Sequence, residues 1–398
     1  MTVRCVRRGA TPSSRHMNRL ETAPASERLY NIILKVTNHC TLRCSYCYVR
    51  PHFEQENRAE MSISLWEKIL REYMELARGG RGSGTDHRTI KVTWHGGEPL
   101  CAGLPYFRQV VQLQERLVSP PYRVVNAITT NGVLLDEEWV DFLREHKFEV
   151  GVSLDGPREI HDRFRKTHEE TGSFDSVMKG IRLLQQAEIP FGTLSVVTSE
   201  SAADPRQLLA FFADQHIFNL NFIPYTTQQD WLDPVVYSEF STDLFDAWIS
   251  LNDERMYIRD FANILARIFG RESSLCEYTN CFGNYLGIDT NGDVYMCDLL
   301  IGDPRFLLGS ALGSTLTDLI QGARYKRLQG AARANHPSCS ECPFFMICTG
   351  GCMYRRHLGG GLPGRDLYCS ARQRLISHIL TRLEELDTGV RHVAGVIN

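Results

Sequence analysis

Six short runs rich in β-branched and apolar residues, at 31–37, 89–94, 123–129, 148–153, 192–198 and 217–223, alternate with amphipathic stretches at 62–77, 104–117, 136–146, 173–187 and 204–214. Strand-like runs separated by helix-like runs of ten or more residues predict βαβ units, and such units build a parallel sheet with right-handed crossovers. Six units fall short of the eight that close a barrel. The expected fold is therefore α/β, a curved, partial (βα)6 TIM-like barrel with ligands at the C-terminal ends of its strands. Asp136, Glu137 and Glu138 place carboxylates at a helix start, where they complement the helix dipole. The Gly- and Arg-rich loop 78–88 lacks the Gly-Lys-Ser/Thr ending of a phosphate loop and reads as a linker.

Composition excludes several classes. The chain has 398 residues and a formal net charge of −3, so nothing overall points to nucleic acid or an anionic membrane. No apolar run approaches the length of a transmembrane helix. The first 28 residues hold six arginines among Ser, Thr, Pro and Ala, without the apolar core of a secretory signal. They are read as a disordered basic arm over 1–29, or as an overlong start with Met17 the true one. The expected setting is cytoplasmic, and the expected state a monomer.

Eleven of the thirteen cysteines fall in two groups. The first is Cys40, Cys44 and Cys47, spaced C-x3-C-x2-C directly after the apolar run Ile32-Ile33-Leu34-Lys35-Val36. The second is Cys276, Cys281, Cys297, Cys339, Cys342, Cys348, Cys352 and Cys369. Such grouping in a reducing compartment argues for metal rather than disulfides. Three thiolates suit a four-iron cluster with one iron free to bind a substrate, whereas four close a cluster and leave it to electron transfer. Eleven is three plus four plus four, which suggests one open and two closed clusters; zinc is the other reading of the second group. Cys5 and Cys101 read as ordinary thiols.

Three further motifs close strands. Trp94-His95-Gly96-Gly97-Glu98-Pro99 ends the second, where paired glycines admit close approach of a ligand and a carboxylate can accept from an ammonium. Ser153-Leu154-Asp155-Gly156-Pro157 ends the fourth, and Asp155-Gly156-Pro157 by itself reads as a turn. Thr130-Asn131-Gly132 closes the third. Arg165 is either a carboxylate partner or a solvated arginine.

The three-cysteine spacing followed by Gly-Gly-Glu-Pro resembles the signature of the radical S-adenosylmethionine (SAM) enzymes. The cysteine string from Cys281 through Gly292 to Cys369 resembles their SPASM extension. The resemblance covers about residues 31–375 and implies a partial barrel at 30–233, a helical bridge at 234–275, a SPASM domain at 276–370, and a C-terminal helix and tail at 371–398. It implies SAM and three four-iron clusters as cofactors. Cys40, Cys44 and Cys47 would hold the SAM-binding cluster. Cys276, Cys281, Cys297 and Cys352 would hold the first auxiliary cluster, and Cys339, Cys342, Cys348 and Cys369 the second. SAM contacts fall to His95, Gly96, Gly97, Glu98, Pro99, Ser153 and Arg165.

Two branches of that family fit. In anaerobic sulfatase maturases, which oxidise Cys or Ser of a protein to formylglycine, an Asp directly after the cysteine matching Cys297 takes a proton from the substrate radical. Asp298 stands there, beside an anionic cluster expected to raise its basicity; a surface Asp is the plain alternative. The Trp-His-Gly-Gly-Glu-Pro-Leu form resembles instead the peptide maturases that cross-link side chains of a ribosomally made precursor. On His95 the sequence leans to the second branch. Expected partners are a precursor peptide or protein substrate and an electron donor such as flavodoxin or ferredoxin. No leader-binding domain fits before residue 30.

Overall fold

The structure, a computed structural model, describes residues 31–49, 59–78, 88–279, 282 and 285–385. The basic arm, the linker at 79–87, Cys281 and the tail beyond residue 385 lie outside the described residues.

Strands β1 (Asn31–Thr37), β2 (Thr89–Gly96), β3 (Arg123–Thr130), β4 (Glu149–Ser153), β5 (Phe191–Val197) and β6 (Asn219–Pro224) pair in parallel in chain order. Helices Ile63–Arg78, Gly103–Leu117, Glu137–Glu145, Phe174–Gln186 and Pro205–Asp214 connect them, within a residue or two of the predicted stretches. The Asp136 side chain accepts from Trp139 N at 2.9 Å, so the acidic start of Glu137–Glu145 is also its cap.

Burial along β2 alternates: Ile90, Val92 and Trp94 are buried, while Lys91, Thr93 and His95 are half-buried. Period two with one face dry marks a sheet packed on one side and lining a cleft on the other. On the dry side Trp94 meets Trp66 edge-on at 5.0 Å and Phe107 at 5.6 Å. Its indole Nε1 donates to Asn126 Oδ1 at 2.9 Å, and the Asn126 and Gln114 amides exchange two more bonds. Trp94, Asn126 and Gln114 are therefore paired, which offsets their desolvation cost, while the buried Trp66 Nε1 has no hydrogen-bond partner among the described residues.

The sheet does not stop at six strands. β7 (Tyr257–Ile258) adds to β6, and β8 (Tyr285–Ile288) adds in parallel to the free side of β1, followed by antiparallel β9 (Asp293–Tyr295) and β10 (Leu307–Ser310). One ten-stranded sheet results. These four strands are two to four residues long, too short for a period to register in sequence. The segment 234–275 contains helices Pro234–Leu251 and Arg259–Ile268 on either side of β7. The C-terminal helix Cys369–Glu385 packs on Pro234–Leu251, with His378 Nε2 at 3.0 Å from Asp246 Oδ1.

The hairpin from β8 to β9 turns at Gly292, whose φ of +86° is strained for any residue with a Cβ. The chain then lays Cys297 and Asp298 back onto β8. A Cβ on Gly287 would stand 2.9 Å from the Asp298 Cα. Because β8 neighbours β1, the fold delivers Asp298 to the loop that follows β1.

Candidate active site

That loop carries Cys40, Cys44 and Cys47, all half-buried and none in a disulfide. Gly97 N donates to Thr37 O and Glu98 N to His39 O, each at 2.8 Å. A Cβ on Gly96 would lie 2.4 Å from Thr37 O, and one on Gly97 2.3 Å from His39 O. The glycine pair thus clears room for the chain's own backbone, whereas the motif alone suggested a ligand. It fastens the cysteine loop to the end of β2. On its other side the loop is tied by Arg43 N to Lys166 O at 2.7 Å and Ser45 N to Phe164 O at 3.0 Å. Burial pushes the Cys40 thiol strongly up and the Cys44 thiol up to about 11. Thiolates here need a bound cation, and iron supplies one.

Glu98 is buried behind this loop. Its Oε1 accepts from Leu100 N at 3.1 Å and Thr130 Oγ1 at 2.7 Å; its Oε2 accepts from Asn131 N at 2.6 Å. The carboxylate therefore joins the ends of β2 and β3. Burial nonetheless lifts it to about 7. A carboxylate offers about four acceptor positions, so one more donor can be taken. Pro99 begins the short helix Pro99–Ala102 that Glu98 caps.

Asp155 is more than a turn residue. It is buried, pairs with Arg165 through both oxygens (3.0 and 3.1 Å), accepts from Val196 N at 3.0 Å and holds the Tyr46 hydroxyl. The Arg165 guanidinium lies over the Tyr46 ring at 5.4 Å. Arg165 is thus a buried strut for the cysteine loop, and the solvated alternative falls. Ser153 stands half-buried at the end of β4.

The fourth group converges from distant segments. Tyr48 Oη donates to Asp298 Oδ2 at 3.2 Å, and Asp298 Oδ1 lies 3.5 Å from Cys297 Sγ. Lys35, buried on β1, sits 5.5 Å over the Tyr48 ring. Burial pulls its ammonium down, against the opposing charges of Asp289 and Asp298. His95, paired with Lys35 across β1 and β2, has its ring 6.4 Å from Tyr48, and its Nδ1 accepts from Gly96 N at 2.8 Å. Sequence reasoning passed over Lys35, Tyr46 and Tyr48. The available signals were a lysine inside an apolar strand and two tyrosines flanking Cys47.

The later cysteines separate in space. Cys339, Cys342, Cys348 and Cys369 line one cavity. Cys276 and Cys297 act together on Tyr285, and Cys297 and Cys352 on Tyr354, while Cys281 lies outside the described residues. Among the described residues no three Cys, His, Asp or Glu side chains stand as ligands of one metal ion. Between the two cysteine sets lie Asp366, which accepts from Cys352 N at 2.7 Å, and Glu277. Arg355 and Arg372 pair with both carboxylates and, against burial, hold Asp366 down to about 2.

Residues 34–212 match the radical SAM superfamily, and residues 276–343 match SPASM, an iron–sulfur cluster-binding domain. A cysteine-type anaerobic sulfatase-maturating enzyme of Clostridium perfringens is 30% identical over 371 residues, spanning 90% of this chain and 98% of that one. A serine-type anaerobic sulfatase-maturating enzyme of Bacteroides thetaiotaomicron is 29% identical over 90% of this chain and 91% of its own. The solved structure of native anSMEcpe with bound AdoMet and Cp18Cys peptide superposes with a TM-score of 0.79 at 27% identity, covering 89% of this chain and 98% of that one. Streptococcus suis SuiB bound to S-adenosylmethionine shares the fold, at a TM-score of 0.62 and 17% identity, covering 86% of this chain and 77% of that one. The chain belongs to the radical SAM superfamily, among the members that carry a SPASM domain. It is a radical SAM enzyme, with SAM and four-iron clusters as its cofactors. Among the described residues no helix is long and apolar enough to cross a membrane.

Proposed function

We propose that this enzyme is a protein maturase that oxidises a Cys or Ser side chain of a polypeptide substrate to formylglycine. The sequence leaned on His95 toward peptide cross-linking; the relatives shift the weight, since sulfatase-maturating enzymes of both types align along about nine tenths of the chain. His95 also discriminates poorly, because its Nδ1 is engaged by its own Gly96 N–H.

The observation that carries the reading is the placement of Asp298 between the two cysteine groups, held by Tyr48 on one side and adjoining Cys297 on the other. When bound, SAM at a reduced cluster supplies a deoxyadenosyl radical that takes a hydrogen atom from the substrate Cβ. The remaining oxidation removes one proton and one electron. Asp298 accepts the proton from the substrate hydroxyl or thiol, and Tyr48 orients the carboxylate. Cys297 would help to hold an auxiliary cluster, which would supply an acceptor for the electron. Serine gives the aldehyde directly; cysteine gives a thioaldehyde that water hydrolyses.

Around the cofactor, the free acceptor position of Glu98 suits the SAM ammonium, while Gly96, Gly97 and Pro99 hold the loop that presents it. Ser153 is placed to meet the ribose or carboxylate. Arg165 acts through Asp155 and Tyr46. In keeping with its clustered cysteines, the enzyme works in a reducing cytoplasm as a monomer, with reduced flavodoxin or ferredoxin as donor.

The test is anaerobic incubation of reconstituted enzyme with SAM, dithionite and sulfatase-derived peptides bearing Cys or Ser at the modified position. An aldehyde that reacts with hydrazine is expected. Loss of two hydrogens without an aldehyde, on a candidate precursor peptide, would instead indicate a cross-link and overturn the formylglycine reading.

A further inference from the structure

The cavity walled by Cys339, Cys342, Cys348 and Cys369 is lined as well by three side chains that carry N–H donors. Gln373 Nε2 donates to Cys342 Sγ at 3.3 Å, and Arg372 Nη1 to Cys348 Sγ at 3.7 Å. The Arg365 guanidinium faces the Cys369 thiol, and its Nη2 donates to Gln373 Oε1 at 3.5 Å. Two of the four sulfurs thus receive a side-chain donor, one of them cationic, and a third faces a guanidinium. The other auxiliary site has a carboxylate oxygen of Asp298 3.5 Å from Cys297 Sγ. Asp366 lines the first cavity as well, paired with Arg355 and Arg372, and Lys35 acts by its charge on Cys297, so the two sites differ in the donors directed at their sulfurs rather than in net charge.

Adding an electron to a thiolate-bound cluster adds negative charge. Donors and cations directed at the sulfurs stabilise the reduced form and raise the potential; a facing carboxylate does the reverse. We propose that Arg365, Arg372 and Gln373 are positioning residues that make the Cys339/Cys342/Cys348/Cys369 centre the electron sink of the auxiliary pair. One electron leaves the centre beside Asp298 and reduces this one, with no bond made or broken and no proton moved. The arginine and carboxylate set of Arg355, Arg372, Glu277 and Asp366, all but Glu277 buried, lies between the two cysteine sets, which holds them at a constant separation.

The inference rests on the cofactor assignment and is independent of the substrate, so its test contains no peptide. Reconstituted holoenzyme and the variants Gln373→Met, Arg365→Met and the double variant are titrated potentiometrically, with reduced clusters followed by electron paramagnetic resonance and iron assayed in parallel. Gln373 is half-buried and Arg365 exposed, so both tolerate truncation better than Arg372. Each single variant is expected to shift the reduction equilibrium of one auxiliary centre roughly tenfold toward the oxidised form, about 59 mV lower for one electron. The shift should be larger in the double variant, with the other two midpoints unmoved. Full iron with an unchanged midpoint overturns the proposal. So does loss of iron from every variant, which would make these side chains scaffold rather than tuning groups.

Discussion

Tyr48 and Asp298 lie 250 residues apart in the chain and share a hydrogen bond of 3.2 Å. One follows Cys47, the last cysteine of the loop after β1, and the other follows Cys297. Under the proposed function, their contact joins the place where the substrate radical would form to the place where its proton and electron would depart. Lys35, over the Tyr48 ring, adds a buried cation to the same junction.

If Asp298 is the base, Asp298→Asn should still cleave SAM and abstract substrate hydrogen, since neither step needs a base. Product should fall by about 10²–10⁴-fold, the usual worth of general base catalysis. Deoxyadenosine would then form with little modified peptide. Product at the unsubstituted enzyme's level would return Asp298 to a surface role.

Tyr48→Phe removes the hydroxyl and keeps the ring. A hydrogen bond to a charged group contributes about 1.5–3 kcal/mol, so product formation should drop roughly ten- to a hundredfold, with iron content intact. A rate equal to that of the unsubstituted enzyme would show that Asp298 needs no such orientation.

Gly287→Ala tests the scaffold alone. The new methyl would stand 2.9 Å from the Asp298 Cα and backbone N, so the strand or the base must move. Displacement of a reacting group by an ångström can cost about 10²-fold. Deoxyadenosine without product, as in Asp298→Asn, is the expected pattern, and full coupling would show that β8 yields instead.

If Glu98 holds the SAM ammonium, it links SAM binding to pH. Burial raises its carboxyl to about 7, so in the SAM-free enzyme its stabilising effect holds below the ordinary carboxylate range and is lost as pH rises through about 7. An ammonium ligand requires the ionised form. SAM affinity, measured by calorimetry, should therefore rise about tenfold per pH unit up to about 7 and level off above it. Glu98→Gln should bind more weakly and without this slope. It is a cleaner probe than Glu98→Ala, which would leave three donors at Leu100, Thr130 and Asn131 unsatisfied. An unchanged slope in Glu98→Gln would remove Glu98 from the SAM site.

The iron count follows from the cysteine groups. Reconstituted enzyme should hold about twelve irons, and changing Cys40, Cys44 and Cys47 together to Ala should remove about a third of them. SAM cleavage should vanish with that third. Zinc in place of iron at the later cysteines, seen by metal analysis, would refute the two auxiliary clusters.

Local pattern alone determined a good deal of this protein. Strands β1 to β6, the helices between them and the acidic cap at Asp136 follow from period and turn chemistry, which act over a few residues. The cysteine groups were legible because metal ligation restricts both residue type and spacing. Tertiary structure decided the rest. The short strands β7 and β8 pair with the outer edges of β6 and β1, β9 and β10 build on β8 in turn, and no run of two to four residues encodes its partner. Asp155 looks like a turn until Arg165, Tyr46 and Val196 N close around it. The glycines at 96 and 97 look ready for a ligand until the Thr37–His39 backbone fills their space. The site itself joins Lys35, Tyr48, His95 and Asp298, residues remote in the chain. They meet only because the sheet sets β8 beside β1 and the turn at Gly292 sends the chain back across Gly287.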